Sequence, residues 1–145
     1  MNLEYSAPNI KDESRKPYTF PNQPFPYSLL PNDRRFEELI YSIFKQEIDN
    51  NNLPPFDNIH ILKGIKDQGR DCSLHTKGKN TGLIQCKWYA NRLENPECIK
   101  EIIKFILYYI IDNSLISDLS DFIYYFIAAN GFNDDSLELY QVKIV

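Results

Sequence analysis

The chain has 145 residues, enough for one domain with a real core and too few for two comfortable ones. Its 43% hydrophobic, 14% aromatic and 25% charged residues describe an ordered globular protein and exclude disorder over most of its length. A formal net charge of -4 excludes a protein that coats nucleic acid through global charge alone.

Residues 1–31 read as an extended arm. Six of the nine prolines lie there, interleaved with Tyr5, Tyr18, Phe20, Phe25 and Tyr27. Proline removes backbone donors and biases its predecessor away from helix. Residues 32–145 form the domain proper. A first helix is predicted from about Asp33 to Asp49, capped by Asn32 or Asp33, with Phe36, Leu39, Ile40, Ile43, Phe44 and Ile48 as its core face. Glu37 sits at the boundary of that face. Asn50-Asn51-Asn52 with Pro54-Pro55 ends the helix.

Three strands follow: Asn58 to Lys63, then Arg70 to Thr76 and Leu83 to Ala90 as a hairpin around a turn region of Lys77 to Gly82. Asn95-Pro96-Glu97 starts a helix that should reach about Asp112 with Ile99, Ile102, Ile103, Ile106 and Ile110 inward. Asp121 to Ala129 is a continuous apolar run that suits a strand buried on both faces. Asn130-Gly131 turns the chain, and Asn133 to Asp135 opens a last helix through about Val142. The order α-β-β-β-α-β-α predicts an α/β fold, a mixed central sheet flanked by helices.

The hairpin is where chemistry gathers. Side chains alternate along a strand, so Asp71, Ser73 and His75 share one face of the first arm, and Gln85, Lys87 and Tyr89 share one face of the second. Cys72, Leu74, Ile84, Cys86 and Trp88 make the apolar face. An odd turn brings Asp71, Gln85 and Lys87 together. An even turn puts Asp71 on the wrong face unless a bulge corrects it. Clustered, Asp71, the Gln85 side-chain oxygen and the Cys86 backbone carbonyl are oxygen ligands that suit Mg²⁺ or Mn²⁺. Lys87 would hold or help deprotonate a water and stabilise charge on a phosphate. The bland alternative is a hairpin with a merely polar outer face.

Charge is uneven along the chain. From Asp57 to Arg92 seven basic residues face three acids. Lys63, Lys66, Arg70, Lys77, Lys79 and Arg92 are candidate phosphate contacts, against the plainer reading of a solvated face. Cys72, Cys86 and Cys98 are odd in number and lack C-x-x-C spacing, and no signal peptide begins the chain. A reducing, cytoplasmic setting is expected, with no membrane span.

GRD…LIQCKWY resembles the GxD…QxK variant of the PD-(D/E)XK nuclease superfamily, in particular its Mrr-like restriction endonuclease branch. RRFEELIYSIF resembles that branch's opening helix, and FIAANGFNDDSLEL its final strand, turn and helix. The likeness covers about Asn32 to Tyr140. It implies a restriction-endonuclease-like αβββαβ core and a metal-dependent DNA endonuclease that hydrolyses phosphodiesters. Asp71 and Gln85 would be metal ligands, Lys87 the catalytic lysine and Glu37 the helix-borne acid, with Glu38 as its rival. Arg70 stands at the superfamily's nominal Pro and Gln85 at its second acid, so the site carries less negative charge. The resemblance further implies double-stranded DNA as partner and a bacterial restriction or anti-phage effector, switched on by homo-oligomerisation or an attached sensor or NTPase module. Two other readings stay open: a non-catalytic interaction module on the same fold, and a nuclease selective for branched DNA or RNA.

Overall fold

The structure is a computed structural model that describes residues 29–62 and 69–134. The arm up to residue 28, Lys63, Lys66 and the expected last helix from residue 135 onward lie outside the described residues.

Helix α1 spans Asp33–Asp49. Asn32 begins it: its side-chain oxygen accepts from Arg35 N at 3.0 Å and satisfies one of the helix's orphan donors. Strands β1 (Asn58–Ile61), β2 (Cys72–Thr76) and β3 (Lys79–Lys87) form an antiparallel meander. Helix α2 (Asn95–Ile111), with Pro96 in its first turn, carries the chain across to β4 (Ile123–Ala128), which pairs parallel to β3. A parallel neighbour needs such a crossover. The sheet order is β1-β2-β3-β4, so the chain is a mixed α/β domain with one helix on each face of the sheet.

The two faces differ. On the α1 side Phe36, Ile40 and Ile48 pack with Ile59, Ile61, Cys72, Leu74, Ile84 and Cys86. This is the main core, and it is the apolar hairpin face expected from the sequence. On the α2 side the core is smaller, with Leu83, Phe105, Leu115 and Ile116 joined by Tyr108, Tyr109, Phe122 and Tyr124. It covers one end of that face and leaves the other end polar.

Three expectations need correction. The hairpin turn is only two residues, Lys77 and Gly78, and both have positive φ (51° and 76°). That is the primed turn whose twist matches the strands it joins. The residues up to Gly82 belong to β3 rather than to a loop. Next, α2 turns only Ile102 of the expected isoleucines partly inward. Cys98 and Phe105 are its buried residues, while Ile99, Ile103, Ile106 and Ile110 are 40%, 49%, 46% and 70% exposed. The helix has apolar residues on more than one side, and the stripe that meets the sheet holds Phe105, against Gly69, Phe122 and Tyr124. Finally, β4 is half-buried rather than enclosed, because among the described residues it is the sheet's edge strand.

An even turn alone would set Asp71 opposite Ile84. The pairing instead runs Thr76↔Lys79 and His75↔Asn80, then skips Thr81 and resumes at Leu74↔Gly82. Thr81 is a β-bulge, and the shift moves every later pair by one residue. Gly82 follows because a Cβ there would stand 2.9 Å from the Ile123 carbonyl oxygen and 3.1 Å from the Phe56 ring. Deleting Thr81 would turn the main core's hairpin residues on one strand to the α2 side of the sheet, so the deletion should abolish the cooperative thermal transition. Thr81→Ala, which keeps the count, should lower stability by no more than about 1 kcal/mol.

Candidate active site

Continued one residue past Cys72↔Ile84, the register brings Asp71 to Gln85, with Leu62 of the β1 extension on its other side. Leu62 N donates to Asp71 O and Asp71 N donates to Ile84 O, each at 2.9 Å. Beyond Asp71 the chain leaves the ladder through Arg70 and Gly69, whose φ is +78°. The next donor on β3, Cys86 N–H, therefore lacks a backbone acceptor. The Asp71 carboxylate takes that place: its Oδ2 accepts from Cys86 N and, at 3.0 Å, from Gln85 Nε2. Asp71 is 6% exposed and Gln85 4%. The other amide atom, Gln85 Oε1, is buried with no hydrogen-bond partner. In a strand a residue's N–H and C=O point to the same side, so the Cys86 carbonyl faces the Asp71 side as well.

Lys87 lies one rung further on the same face as Gln85. Its Nζ meets Glu101 Oε1 of α2 at 3.1 Å, both side chains being mostly covered. Burial works to lower the Lys87 pKa, but the hydrogen bond and charge of Glu101 outweigh it, with Tyr89 and Asp71 adding to the rise. The net shift is upward, so Lys87 is an ammonium at neutral pH: a donor and a charge, not a base. Glu101 Oε2 is buried without a hydrogen bond, and Lys104 Nζ stands 3.9 Å away. Glu101 is a site residue that sequence reasoning missed. No local spacing connects it to Lys87.

Glu37 and Glu38 part company. Glu38 is buried beneath Arg35, with Nη1 to Oε2 at 2.9 Å. Glu37 bonds Arg34 Nη1 at 3.0 Å, and the same nitrogen donates to Leu62 O at 2.6 Å, next to Asp71 in the sheet. The charge of Glu37 reaches both Cys72 and Cys86. Of the two acids Glu37 is therefore the one whose field overlaps that of Asp71. It approaches from the α1 side, opposite to Lys87. Arg34 is the second residue that the motif did not point to. Burial, then Asp71, push both thiols far above the ordinary cysteine range, so Cys72 and Cys86 are inert core groups.

The cations do not form one surface. Arg70 is 2% exposed and is not a surface contact. It follows Gly69, which lies against Phe105 of α2. Lys77 and Lys79 are exposed at the hairpin tip, about 27 Å along β3 from Lys87 at a strand rise of ~3.3–3.4 Å per residue. Arg92 is exposed on the connection that follows β3, at the Lys87 end. Toward the tip, the His60 and His75 rings pack at a tilt of 45° with centroids 4.5 Å apart, and Ser73 Oγ lies 2.9 Å from His75 Nε2. His75 belongs to this packed pair rather than to Asp71.

Among the described residues no three His, Cys, Asp or Glu side chains group as a metal site, and no helix is long and apolar enough to cross a membrane. No family model, no curated protein and no solved structure matches the chain.

Burial, then His60, hold the His75 pKa below its ordinary value against the pull of Asp57. The unfolded chain then binds the proton more readily than the fold. Stability from keeping His75 neutral is complete above about pH 6.5 and is lost as pH falls through the folded value. Thermal melts between pH 7.5 and 5 should show Tm falling below that point, and His75→Gln should flatten the fall.

Proposed function

We propose that the chain is a metal-dependent endonuclease domain that hydrolyses DNA phosphodiesters, with Asp71, Gln85 and Lys87 at its centre. One observation carries the reading: at the splayed end of β2 and β3 a buried carboxylate lies beside a buried amide whose oxygen has no partner, and a covered ammonium lies one rung away. A core without chemistry has little reason to bury these three groups together, because each is stabilised by solvent. The α-β-β-β-α-β order of the described elements is the order that the resemblance implies. Fold likeness alone would not argue activity.

The donor set fits a hard divalent cation. Asp71 supplies an anionic oxygen, Gln85 Oε1 an orphaned neutral one, and Cys86 a backbone carbonyl that faces the same side. In the present arrangement the Gln85 N–H neutralises Asp71. Turning the amide over sets oxygen against oxygen, which is favourable only with a cation between them. Mg²⁺ or Mn²⁺ bound there would supply Lewis-acid and water-activating chemistry. Glu37, held by Arg34, would add negative potential from the α1 side. Lys87, charged at neutral pH, would donate to a non-bridging phosphate oxygen and stabilise the charge that develops there. Glu101 keeps that ammonium in place and desolvated until a phosphate competes for it. Arg92 is the described exposed cation best placed to meet the backbone of a bound duplex.

The rival reading, a non-catalytic module on the same fold, has one observation in its favour: Lys87 is already neutralised by Glu101. The two readings separate in a plasmid assay with Mg²⁺ or Mn²⁺. Asp71→Asn is the informative variant. It keeps an acceptor for Cys86 N–H, whereas Asp71→Ala would strand buried donors at a cost of about 1–3 kcal/mol. Wild type should nick or linearise the plasmid, and Asp71→Asn and Lys87→Ala should each lose about 100-fold or more, with Asp71→Asn melting close to wild type and both variants still folded at the assay temperature. Cleavage that survives in both variants would remove the assignment. Glu101→Gln should lower the Lys87 pKa and shift the alkaline limb of the rate profile downward, a change that loss of packing alone would not produce.

A further inference from the structure

We infer that the outer face of α2 is the interface of a two-fold homodimer. Ile99, Ile103, Ile106 and Ile110 stand at intervals of four, three and four residues, all between 40% and 70% exposed, with Leu107 and Ile111 beside them at 55% and 81%. That spacing averages about 3.7 residues, close to the 3.6 of a helical turn, and draws one nearly straight seam along the helix. The seam lies opposite Cys98, Glu101 and Phe105, the residues that face the sheet, so folding of the described domain leaves it bare.

The size and symmetry of the seam name the occupant. The exposed parts of these six side chains come to on the order of 600 Å², at the upper limit of the apolar patches that monomers tolerate. Two such faces together bury about 1,200 Å², the lower limit of a specific interface. The four-three-four spacing is palindromic about the midpoint between Lys104 and Phe105. An antiparallel copy therefore sets Ile99 against the partner's Ile110 and Ile103 against the partner's Ile106, and the contact closes on itself. Isoleucine at both seam positions suits three or four strands in free coiled coils. Here the sheet already occupies the opposite side of α2, and the palindromic spacing is met in full by one antiparallel copy. A groove of about 500 Å³ lined by Lys100, Ile103, Lys104, Leu107, Tyr108 and Ile111 runs beside the seam. It gives the partner's side chains room, with the lysines at its rim.

Sedimentation of the full chain, from low to high micromolar concentration, tests the inference without reference to catalysis. Wild type and the control Leu119→Glu, exposed but off α2, should sediment at twice the monomer mass. Ile103→Glu/Ile106→Glu should sediment as a monomer with unchanged circular dichroism, and Ile103→Gln/Ile106→Gln should weaken the dimer at least tenfold. A wild type that stays monomeric would overturn the inference, as would a double variant that stays dimeric. If both double variants lose their fold, the seam is covered within the chain, by residues 135–145 for example, and the inference fails.

Discussion

A turn of two residues joins β2 to β3, and an even turn can bring Asp71 opposite Gln85 only if one residue of β3 goes unpaired. Thr81 is that residue. The turn itself is settled by Gly78, since a positive φ at both central positions is what makes so short a connection follow the sheet's twist. Once the bulge is in place everything beyond it follows. Cys72, Leu74, Ile84 and Cys86 go to α1, and Asp71, Gln85 and Lys87 go to the other face. Gly82, next to the bulge, lets β4 and Phe56 close in where a side chain would hold them off. The site is thus a consequence of strand parity, and parity depends on one unpaired threonine.

The same register explains why a carboxylate can be buried there. β2 ends one residue earlier than β3 needs it to, and the Cys86 amide would be left without an acceptor. Asp71 provides one from its side chain, so its burial offsets a backbone defect as well as creating a charged site. That dual role means that loss of function on removing Asp71 is uninformative unless the acceptor is retained. It also means that the amide of Gln85, donating to the same oxygen, is held beside the carboxylate by the sheet rather than by its own flexible stem.

Much of this was legible from residue order. The α1 helix and its Asn32 cap, the hairpin's apolar face, the start of α2 at Asn95-Pro96 and the inert Cys86 all follow from local periodicity and turn chemistry. The bulge was legible only as a condition, because alternation tells which residues share a face within a strand but not how two strands are aligned. The orientation of α2 was misread for a different reason. Its isoleucines make a strong helical stripe, yet Cys98, Phe105 and Tyr108 make another, and period alone does not say which stripe meets the sheet. Arg70 looked like a surface cation because basic residues are usually solvated; its burial depends on where the chain leaves β2. The Lys87–Glu101 pair joins a strand to a helix and has no signature in sequence at all.

That last pair ties the two faces of α2 to each other. Glu101 is on the inner face, committed to Lys87, while the isoleucine seam is on the outer one. A helix of 17 residues is stiff along its length, so whatever seats the outer face also sets the depth at which Glu101 meets the sheet. The smaller core beneath α2 is held mainly by Phe105, Leu115 and Ile116, and it is lean enough for a second layer on the outside to matter to its packing. An isolated domain would leave Lys87 tied to a helix that is secured on one side only. A helix secured on both sides would hold the same ammonium at a fixed height above Asp71 and Gln85, and for the proposed phosphodiester chemistry the geometry of charge, more than its amount, would decide how strongly a phosphate is stabilised.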